Sequence, residues 1–264
     1  MLEKLFVIKI GGALIDNEEL LNQFLEQFAE IQEKKILIHG GGKLATTLAD
    51  KLGVEQKMVN GRRITDKETL DIVTMVYAGG INKKIVSQLQ GKNCNAIGFS
   101  GADANLIVAE KRKNKEIDFG FVGDVNENSV NGELIHQFLN LNLTPVFSAI
   151  THNKEGVLLN TNADTVASVI AQSLSKNYEV ELLYCFDKEG VLDDVNNPES
   201  LIKNISEEEF INLKNNGKLH KGILPKLENA LHAKKNNVGK VFLIHENQLK
   251  NHIENHDAGT EICL

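Results

Sequence analysis

The sequence predicts an α/β fold, a three-layer αβα sandwich in which helices cover both faces of a mostly parallel central sheet. Short apolar runs, predicted as strands, alternate along the chain with longer segments whose apolar residues recur at helical intervals. The short runs do not alternate with polar residues, which is typical of strands that are buried on both faces. Glycine-rich loops follow the first two runs, where strands of such sheets give way to helices.

In the first half of the chain, strands are predicted at residues 6–8, 36–38 and 96–97. Helices are predicted at residues 16–31 and 43–52, and from residue 65 through 76. Asp16 and Thr65 each stand three residues before a glutamate, which is the spacing of a capping box at a helix start. Two apolar runs, at residues 106–108 and 119–122, flank a polar stretch and predict a hairpin.

In the second half, strands are predicted at residues 146–147, 182–186 and 241–244, and a helix at residues 162–174. Ser206 and Pro225 are each suited to open a further helix. No internal repeat or low-complexity linker interrupts this pattern, so we expect a single domain over residues 1–264. It divides into two approximate lobes, residues 1–175 with the glycine-rich loops and residues 176–264 with the polar stretch 193–204.

The composition excludes several classes of protein. With 42% hydrophobic and 25% charged residues among 264, the chain is typical of a globular protein. A net charge of −7 without a long basic block argues against nucleic acid as a partner. The sequence has no apolar run long enough to cross a membrane and no signal-peptide pattern at residues 1–6. Its three cysteines are isolated, so we expect neither disulfides nor a zinc ribbon, and a cytoplasmic location.

Two glycine loops carry the clearest functional pattern. Lys9, Gly11 and Gly12 follow the first predicted strand, and His39-Gly40-Gly41-Gly42 follows the second. Glycines at the carboxyl ends of strands let backbone N–H groups approach phosphate oxygens, and a helix N-terminus adds a favourable field. One such loop is more often a simple tight turn. Two on neighbouring strands, one of them preceded by a lysine, favour a phosphate site.

The sequence does not match the other nucleotide-binding or metal-binding signatures that it partly resembles. Leu44 stands where a Walker A loop needs Ser or Thr, and Asp118-Phe119-Gly120 lacks the other protein-kinase motifs, so we interpret it as hairpin structure. His252 and His256 have helical i,i+4 spacing but no evident third ligand, so we expect a solvated helix face and no metal site.

Three further segments place polar residues after a predicted strand or at the start of a predicted helix. Asn160 and Asp164 flank a predicted helix start, where Asn162 is suited to cap the helix while Asp164 faces a site. Asp187 and Gly190 follow a core strand. Lys226 follows Pro225 at a predicted helix start, although a surface position is the usual one for a lysine.

Eight segments, in this order, resemble the acetylglutamate kinases of the amino-acid kinase superfamily. They are Lys9-x-Gly11-Gly12, His39-Gly40-Gly41-Gly42, Asn60-Gly61-Arg62-Arg63-Ile64-Thr65, Gly98-Phe99-Ser100-Gly101-x-Asp103, Asn160-x-Asn162-Ala163-Asp164, Asp187-x-x-Gly190, Gly222-x-x-Pro225-Lys226 and Gly259-Thr260-x-Ile262. The resemblance covers nearly the whole chain. Phe186 and Lys188 depart from the family pattern of the nucleotide loop.

The resemblance implies an amino-acid kinase-like fold and a carboxylate kinase. The implied reaction transfers the γ-phosphoryl group of ATP, bound with Mg²⁺ that is held mainly through the nucleotide phosphates, to the side chain of N-acetyl-L-glutamate in arginine biosynthesis. The first lobe would then bind the acylated amino acid and the second the nucleotide. Alternatives are an N-succinyl-L-glutamate kinase, another member of the superfamily, or a non-catalytic sensor. The presence of both Lys9 and Lys226 argues against the sensor.

The resemblance also implies a role for each site residue. Lys9 and Lys226 would flank the transferring phosphoryl group, and Asp164 would hold both lysines. The substrate would be bound by Gly41 and Gly42 at its reacting carboxylate, by Arg63 at its α-carboxylate and by Asn160 at its amino-acid end. The nucleotide would lie near Gly11, Gly12, Asp187 and Gly190.

Assembly is a further implication of the resemblance. Arginine-inhibited members of the family carry an additional N-terminal helix that links dimers into a hexamer. Here only five residues precede Phe6, so we expect a homodimer that free L-arginine does not inhibit. The helix after Thr65 is the candidate dimer face through Val73, Val76 and Tyr77, with ordinary core positions as the alternative.

Overall fold

The computed structural model describes residues 2–59, 62–114, 116–194, 197, 199–219, 222–256 and 258–264. Within them the strands are β1 (Glu3–Ile10), β2 (Lys34–His39), β3 (Met58–Val59), β4 (Arg62–Arg63), β5 (Ala96–Phe99), β6 (Glu110–Lys111), β7 (Gly123–Asp124), β8 (Thr144–Ser148), β9 (Ile150–His152), β10 (Leu158–Asn160), β11 (Tyr178–Phe186), β12 (Val191–Leu192), β13 (Leu201–Ile202), β14 (Asn204–Ile205), β15 (Lys240–His245) and β16 (Thr260–Ile262).

The α-helices of the same residues are α1 (Gly12–Asp16), α2 (Glu18–Glu30), α3 (Gly42–Leu52), α4 (Lys67–Thr74), α5 (Asn82–Gln90), α6 (Gly132–Asn140), α7 (Ala163–Leu174), α8 (Glu207–Asn215), α9 (Leu224–Lys235) and α10 (Leu249–Asn255). A π-helix at Met75–Ile81 joins α4 to α5 without a break. No helix in the described part of the chain is both long enough and apolar enough to cross a membrane.

Eight strands form one sheet, in the order β14-β16-β15-β11-β1-β2-β8-β5. Each neighbouring pair is parallel except β15 with β16. The predicted mostly parallel sheet is therefore confirmed, and it includes strands from both predicted lobes.

Helices pack on both faces of this sheet, and β1 shows how the sequence achieves this. Its residues alternate between two apolar clusters, Leu5 and Val7 on one face and Phe6 and Ile8 on the other. Helices α6 to α9 contribute to the first cluster, and helices α1 to α5 with α10 contribute to the second. Because both faces of the strand are covered, its residues from Leu5 to Ile10 are all buried and all but Lys9 are apolar, as the three-layer prediction requires.

The predicted capping boxes lie one residue away from the caps in the structure. Asn17, not Asp16, caps α2, and its Oδ1 accepts from the N–H groups of Glu19 and Leu20 over 3.1 and 3.2 Å. Asp66, not Thr65, caps α4 through Thr69. Both alternatives are good N-cap residues, so spacing alone did not decide between neighbours.

The predicted hairpin is present but pairs other residues. Strands β6 and β7 pair through Glu110 with Asp124 and Lys111 with Gly123. The apolar run at 106–108 instead bridges to Val130 and His152. Leu106 and Ile107 are buried in the core, which turns this run away from the second one.

Strand register brings three loops to one edge of the sheet. Ile10, the last residue of β1, lies opposite His39 at the end of β2 and opposite Cys185 near the end of β11. The loops after these strands therefore leave the sheet side by side, at the edge where ligands of open α/β sheets bind.

Candidate active site

Three charged residues meet where β1 ends. Lys9 is the last residue but one of β1; its side chain is almost fully buried, and its Nζ lies 2.6 Å from Oδ1 of Asp164. Lys226 reaches the other oxygen, with Nζ 3.0 Å from Oδ2. Asp164 lies in the first turn of α7, which Asn162 caps by accepting from the Thr165 N–H over 3.0 Å. Lys226 lies in the first turn of α9, after Pro225.

The charges of this group depend on one another. Burial favours the protonated form of Asp164, but the charges of Lys9 and Lys226 outweigh burial and hold the pKa of Asp164 at about 2. Burial lowers the pKa of Lys9, and the charge of Asp164 opposes this shift. The carboxylate is therefore ionised at neutral pH and helps to keep a buried ammonium group charged.

A cavity of about 500 Å³ opens beside this group. Lys9, Gly12, Gly41, Gly42, Arg63 and Asn160 line it, so it collects six of the residues selected from the sequence. Asp164 and Lys226 lie just behind the cavity wall. Asp164 pairs with the lining residue Lys9, and Lys226 pairs with Asp164 and follows the lining residue Pro225.

Arg62 and Arg112 also line the cavity, and Arg112 is paired with Asp124. Among the described lining residues, four Lys and Arg residues against one acidic residue, Glu228, thus give the cavity a mainly basic wall in a protein of net charge −7. Such a wall suits an anionic ligand.

The second glycine loop has a conformation that only glycine supplies. Gly41 has φ +151°, and a Cβ there would lie 2.2 Å from Cδ1 of Ile81. Tyr77 packs against the same position from the π-helix. Any side chain at residue 41 would therefore clash with the helix that supports the loop. At Gly12, by contrast, a Cβ would meet nothing within 4 Å, so the backbone of the first loop is open to the cavity.

Arg63 is tied to the second glycine loop. Its Nη2 donates to the carbonyl oxygen of Gly42 over 2.8 Å and to Oγ1 of Thr46 over 2.9 Å, and Nη1 donates to Gln56. Both hydrogens of Nη2 are therefore in use. A carboxylate that takes two parallel hydrogen bonds from this guanidinium must displace at least one of these acceptors.

Asn160 ends β10 on the same side of the cavity. Its Nδ2 donates to Oγ1 of the buried Thr65 over 3.1 Å, and its backbone N–H donates to Phe121. Asn60 and Gly61, which belong to the third of the eight resembling segments, lie outside the described residues.

The candidate nucleotide residues lie in different places. Gly11 caps α1 directly after β1 and is next to the cavity. Asp187 is exposed after β11, and Gly190 is buried beside a separate small cleft with Lys188 and Leu219. The structure thus does not bring Asp187 and Gly190 into the main cavity.

Sequence reasoning missed several residues around the cavity. Thr46 and Gln56 hold Arg63, although neither belongs to a recognised motif.

The candidate dimer face of Val73, Val76 and Tyr77 had ordinary core positions as its alternative. That alternative holds for Val73 and Tyr77, which are buried inside the chain, whereas Val76 lines a surface groove. The helical pattern shows that these residues share a face but does not show what covers it.

The expectation for His252 also needs correction. His252 is completely buried, not solvated, and its Nε2 lies 2.7 Å from Oε1 of Glu181. Glu181, which is 71 residues away in sequence, is the third group that the spacing of the two histidines could not show. Lys4 pairs with the other oxygen of Glu181 over 3.1 Å.

Asp118 has a structural contact that fits its interpretation as part of a turn. Its Oδ1 accepts from the Gly120 N–H over 2.8 Å. Gly120 has φ +72°, and a Cβ there would lie 2.2 Å from the carbonyl oxygen of Thr65.

Comparison with known proteins assigns the family. The sequence profile that describes the amino acid kinase family matches residues 4–245 of this chain. The chain belongs to the amino acid kinase family. A solved structure from Streptococcus mutans, 24% identical, shares the fold with a TM-score of 0.80 and covers 98% of each chain.

Sequence relatives within this family are closer. A protein of Cytophaga hutchinsonii named acetylglutamate kinase is 48% identical, with 99% of each chain covered. One of Parabacteroides distasonis with the same name is 48% identical over 94% of this chain and 96% of its own. The resemblance found from motifs is therefore confirmed over almost the full length.

Proposed function

We propose that this amino acid kinase phosphorylates the side-chain carboxylate of N-acetyl-L-glutamate with ATP, giving N-acetyl-L-glutamyl 5-phosphate, a step of arginine biosynthesis. The observation that carries the proposal is the pair of ammonium groups, Lys9 and Lys226, held on the two oxygens of Asp164 beside two glycine loops. The full-length relatives named acetylglutamate kinase support the choice of substrate.

The proposed chemistry is a displacement at phosphorus. A carboxylate oxygen of the substrate forms a bond to the γ-phosphorus of ATP, the bond to the bridging oxygen breaks, and ADP leaves. The nucleophile is already ionised because an ordinary carboxyl group has a pKa of about 4.3, so no general base is required. Lys9 and Lys226 stabilise the charge on the phosphoryl oxygens in the transition state. Asp164 fixes both ammonium groups.

Substrate contacts follow from the wall of the cavity. The N–H groups of Gly41 and Gly42 bind the reacting carboxylate, Arg63 binds the α-carboxylate and Asn160 binds the amino-acid end. For the nucleotide we propose Gly11 and Gly12 at the phosphates, with Asp187 and Gly190 farther along the same sheet edge.

The described residues around the cavity suit a metal held mainly by the nucleotide. Glu228 lines the cavity, and both oxygens of the nearby Asp164 already contact lysines. Mg²⁺ bound to the phosphates of ATP would neutralise part of their charge during transfer. Its ligands from this chain would therefore be few.

We also propose how the chain is organised and assembled. Residues 1–175 form the lobe for the acylated amino acid and 176–264 the lobe for the nucleotide, within one domain in the cytoplasm. A homodimer is supported by an apolar groove that includes Leu44, 39% exposed, and Met75, 56% exposed. Exposed side chains of this kind gather where a partner covers them.

Substrate choice is tested by measuring ADP release with four acceptors: N-acetyl-L-glutamate, N-succinyl-L-glutamate, L-glutamate and L-aspartate. We expect the highest kcat/KM with N-acetyl-L-glutamate. A preference for N-succinyl-L-glutamate would assign a succinyl group, not an acetyl group, to the substrate. Turnover with neither acylated acceptor would contradict the proposal.

A further inference from the structure

His39 lies between the glycine loop and the helix behind it. It ends β2, is completely buried, and does not line the cavity. Its Nδ1 lies 2.9 Å from the carbonyl oxygen of Gly40, the next residue. On its other side, Nδ2 of Asn82 lies 3.1 Å from Nε2 of His39 and 2.9 Å from the carbonyl oxygen of Val146.

These contacts determine where the protons are. The carbonyl of Val146 takes one hydrogen of the Asn82 amide, and the second hydrogen points to Nε2 of His39. Nε2 must then accept, which leaves the single ring proton on Nδ1, where it is donated to Gly40. Burial lowers the pKa of His39 to about 4, in agreement with a neutral ring.

The hydrogen bond to Gly40 sets the direction of the next N–H. The Gly40 carbonyl and the Gly41 N–H belong to one peptide group, and the described part of the chain has no cis peptide bond. In a trans peptide these two groups point in opposite directions. Because the carbonyl points at the buried ring, the Gly41 N–H points away from it. Among the described residues, no acceptor takes this N–H.

The same helical segment holds the loop from two sides. Ile81 ends the π-helix and packs against Gly41, and the following residue, Asn82, begins α5 and donates to His39. A π-helix turn shifts the register of the residues after it, and such turns are frequent at functional sites. Here the turn directs two neighbouring residues at one loop.

We propose that His39 and Asn82 are positioning residues, which hold the Gly40–Gly41 peptide so that the Gly41 N–H is aimed at the reacting carboxylate. This inference rests on the proposed function. The N–H would bind the carboxylate oxygens whose charge changes during transfer, and a donor fixed in advance needs no reorganisation at that moment.

Two substitutions of His39 separate the positioning role from a structural one. Asn places its amide nitrogen near the position of Nδ1, so His39→Asn keeps the donor to Gly40. Gln places its amide near the position of Nε2, so His39→Gln keeps a partner for Asn82 and loses the donor. We expect kcat to fall about 10²-fold in His39→Gln with little change in the KM for ATP, and His39→Asn to recover most of the rate.

The matched control is His252→Gln, which alters a second completely buried histidine that does not line the cavity. It should lower the melting temperature while kcat stays near that of the wild type. Equal losses of kcat in His39→Asn and His39→Gln, or wild-type kcat in His39→Gln, would overturn the inference.

A second measurement does not depend on turnover. NMR of the ring nitrogens should show His39 in the neutral form with the proton on Nδ1 at neutral pH. The other tautomer, or a charged ring, would overturn the inference even if the enzyme is active. Inactivity of the wild type with all acceptors would instead contradict the proposed function and leave the ring measurement to decide the geometry.

Discussion

Lys226 donates to Asp164 over 3.0 Å although 62 residues separate them, and the oxygen that it contacts is not the one that Lys9 contacts. One carboxylate thus ties the end of β1 to the starts of α7 and α9. In the proposed mechanism, this arrangement places two positive charges on the phosphoryl group during transfer.

Loss of either lysine should affect the chemical step. We expect Lys9→Ala and Lys226→Ala each to lower kcat by about 10²-fold or more, because each ammonium group stabilises developing charge. Lys250→Ala removes an exposed ammonium group that pairs with Glu30 and serves as the control. Near-normal steady-state turnover in either folded site variant would exclude that lysine from the mechanism.

Loss of Asp164 should move the alkaline limit of activity. The charge of Asp164 opposes the lowering of the Lys9 pKa by burial, so Asp164→Asn should lower that pKa further. Lys9 would then lose its proton at a lower pH. We expect kcat of the variant to be reduced and to decline, as pH rises, earlier than in the wild type. A pH profile of kcat checks this, and an unchanged alkaline limb would show that Asp164 does not control Lys9.

Arg63→Lys keeps the charge but loses the planar set of donors. We expect a higher KM for the acylated glutamate with little change in the KM for ATP, because Arg63 lines the cavity and is hydrogen-bonded to the second glycine loop. Steady-state titrations of both substrates measure this. A rise in the KM for ATP alone would assign Arg63 to the nucleotide.

Asp118→Asn tests the motif that was interpreted as hairpin structure. The side chain is exposed and accepts from the Gly120 N–H, a contact that the amide oxygen of Asn can keep. We expect activity and its dependence on Mg²⁺ to stay close to the wild type. A metal titration that shows weaker Mg²⁺ activation in a well-folded variant would indicate that Asp118 contributes to metal binding.

A charged substitution in the apolar groove tests whether the groove forms the dimer interface. Met75→Glu should convert the proposed dimer to a monomer, since burying an unpaired carboxylate in an interface is costly. Leu141→Glu alters another exposed apolar residue, 68% exposed and outside the groove, and should leave the dimer intact. Light scattering gives the mass of each, and a monomeric wild type or a dimeric Met75→Glu would refute this interface.

Local pattern predicted the sheet because strands such as β1 contain an uninterrupted apolar run, Leu5 to Ile8, and are followed by glycine loops. The motifs also selected Lys9, Asp164 and Lys226, which the fold brings together. Pattern could not supply contacts between distant segments, such as Glu181 with His252 or Gln56 with Arg63, because nothing in either segment marks its partner. Caps were misplaced by one residue where two suitable residues were adjacent, as at Asp16 and Asn17.

The central claim is that a carboxylate receives the phosphoryl group, and trapping of the product tests it most directly. Hydroxylamine converts an acyl phosphate to a hydroxamate, which can be identified by mass. With ATP, Mg²⁺ and N-acetyl-L-glutamate, we expect one N-acetylglutamyl hydroxamate for each ADP released, and almost none with Lys9→Ala or Lys226→Ala. ADP release without hydroxamate, or hydroxamate formed only from a different acceptor, would contradict the account.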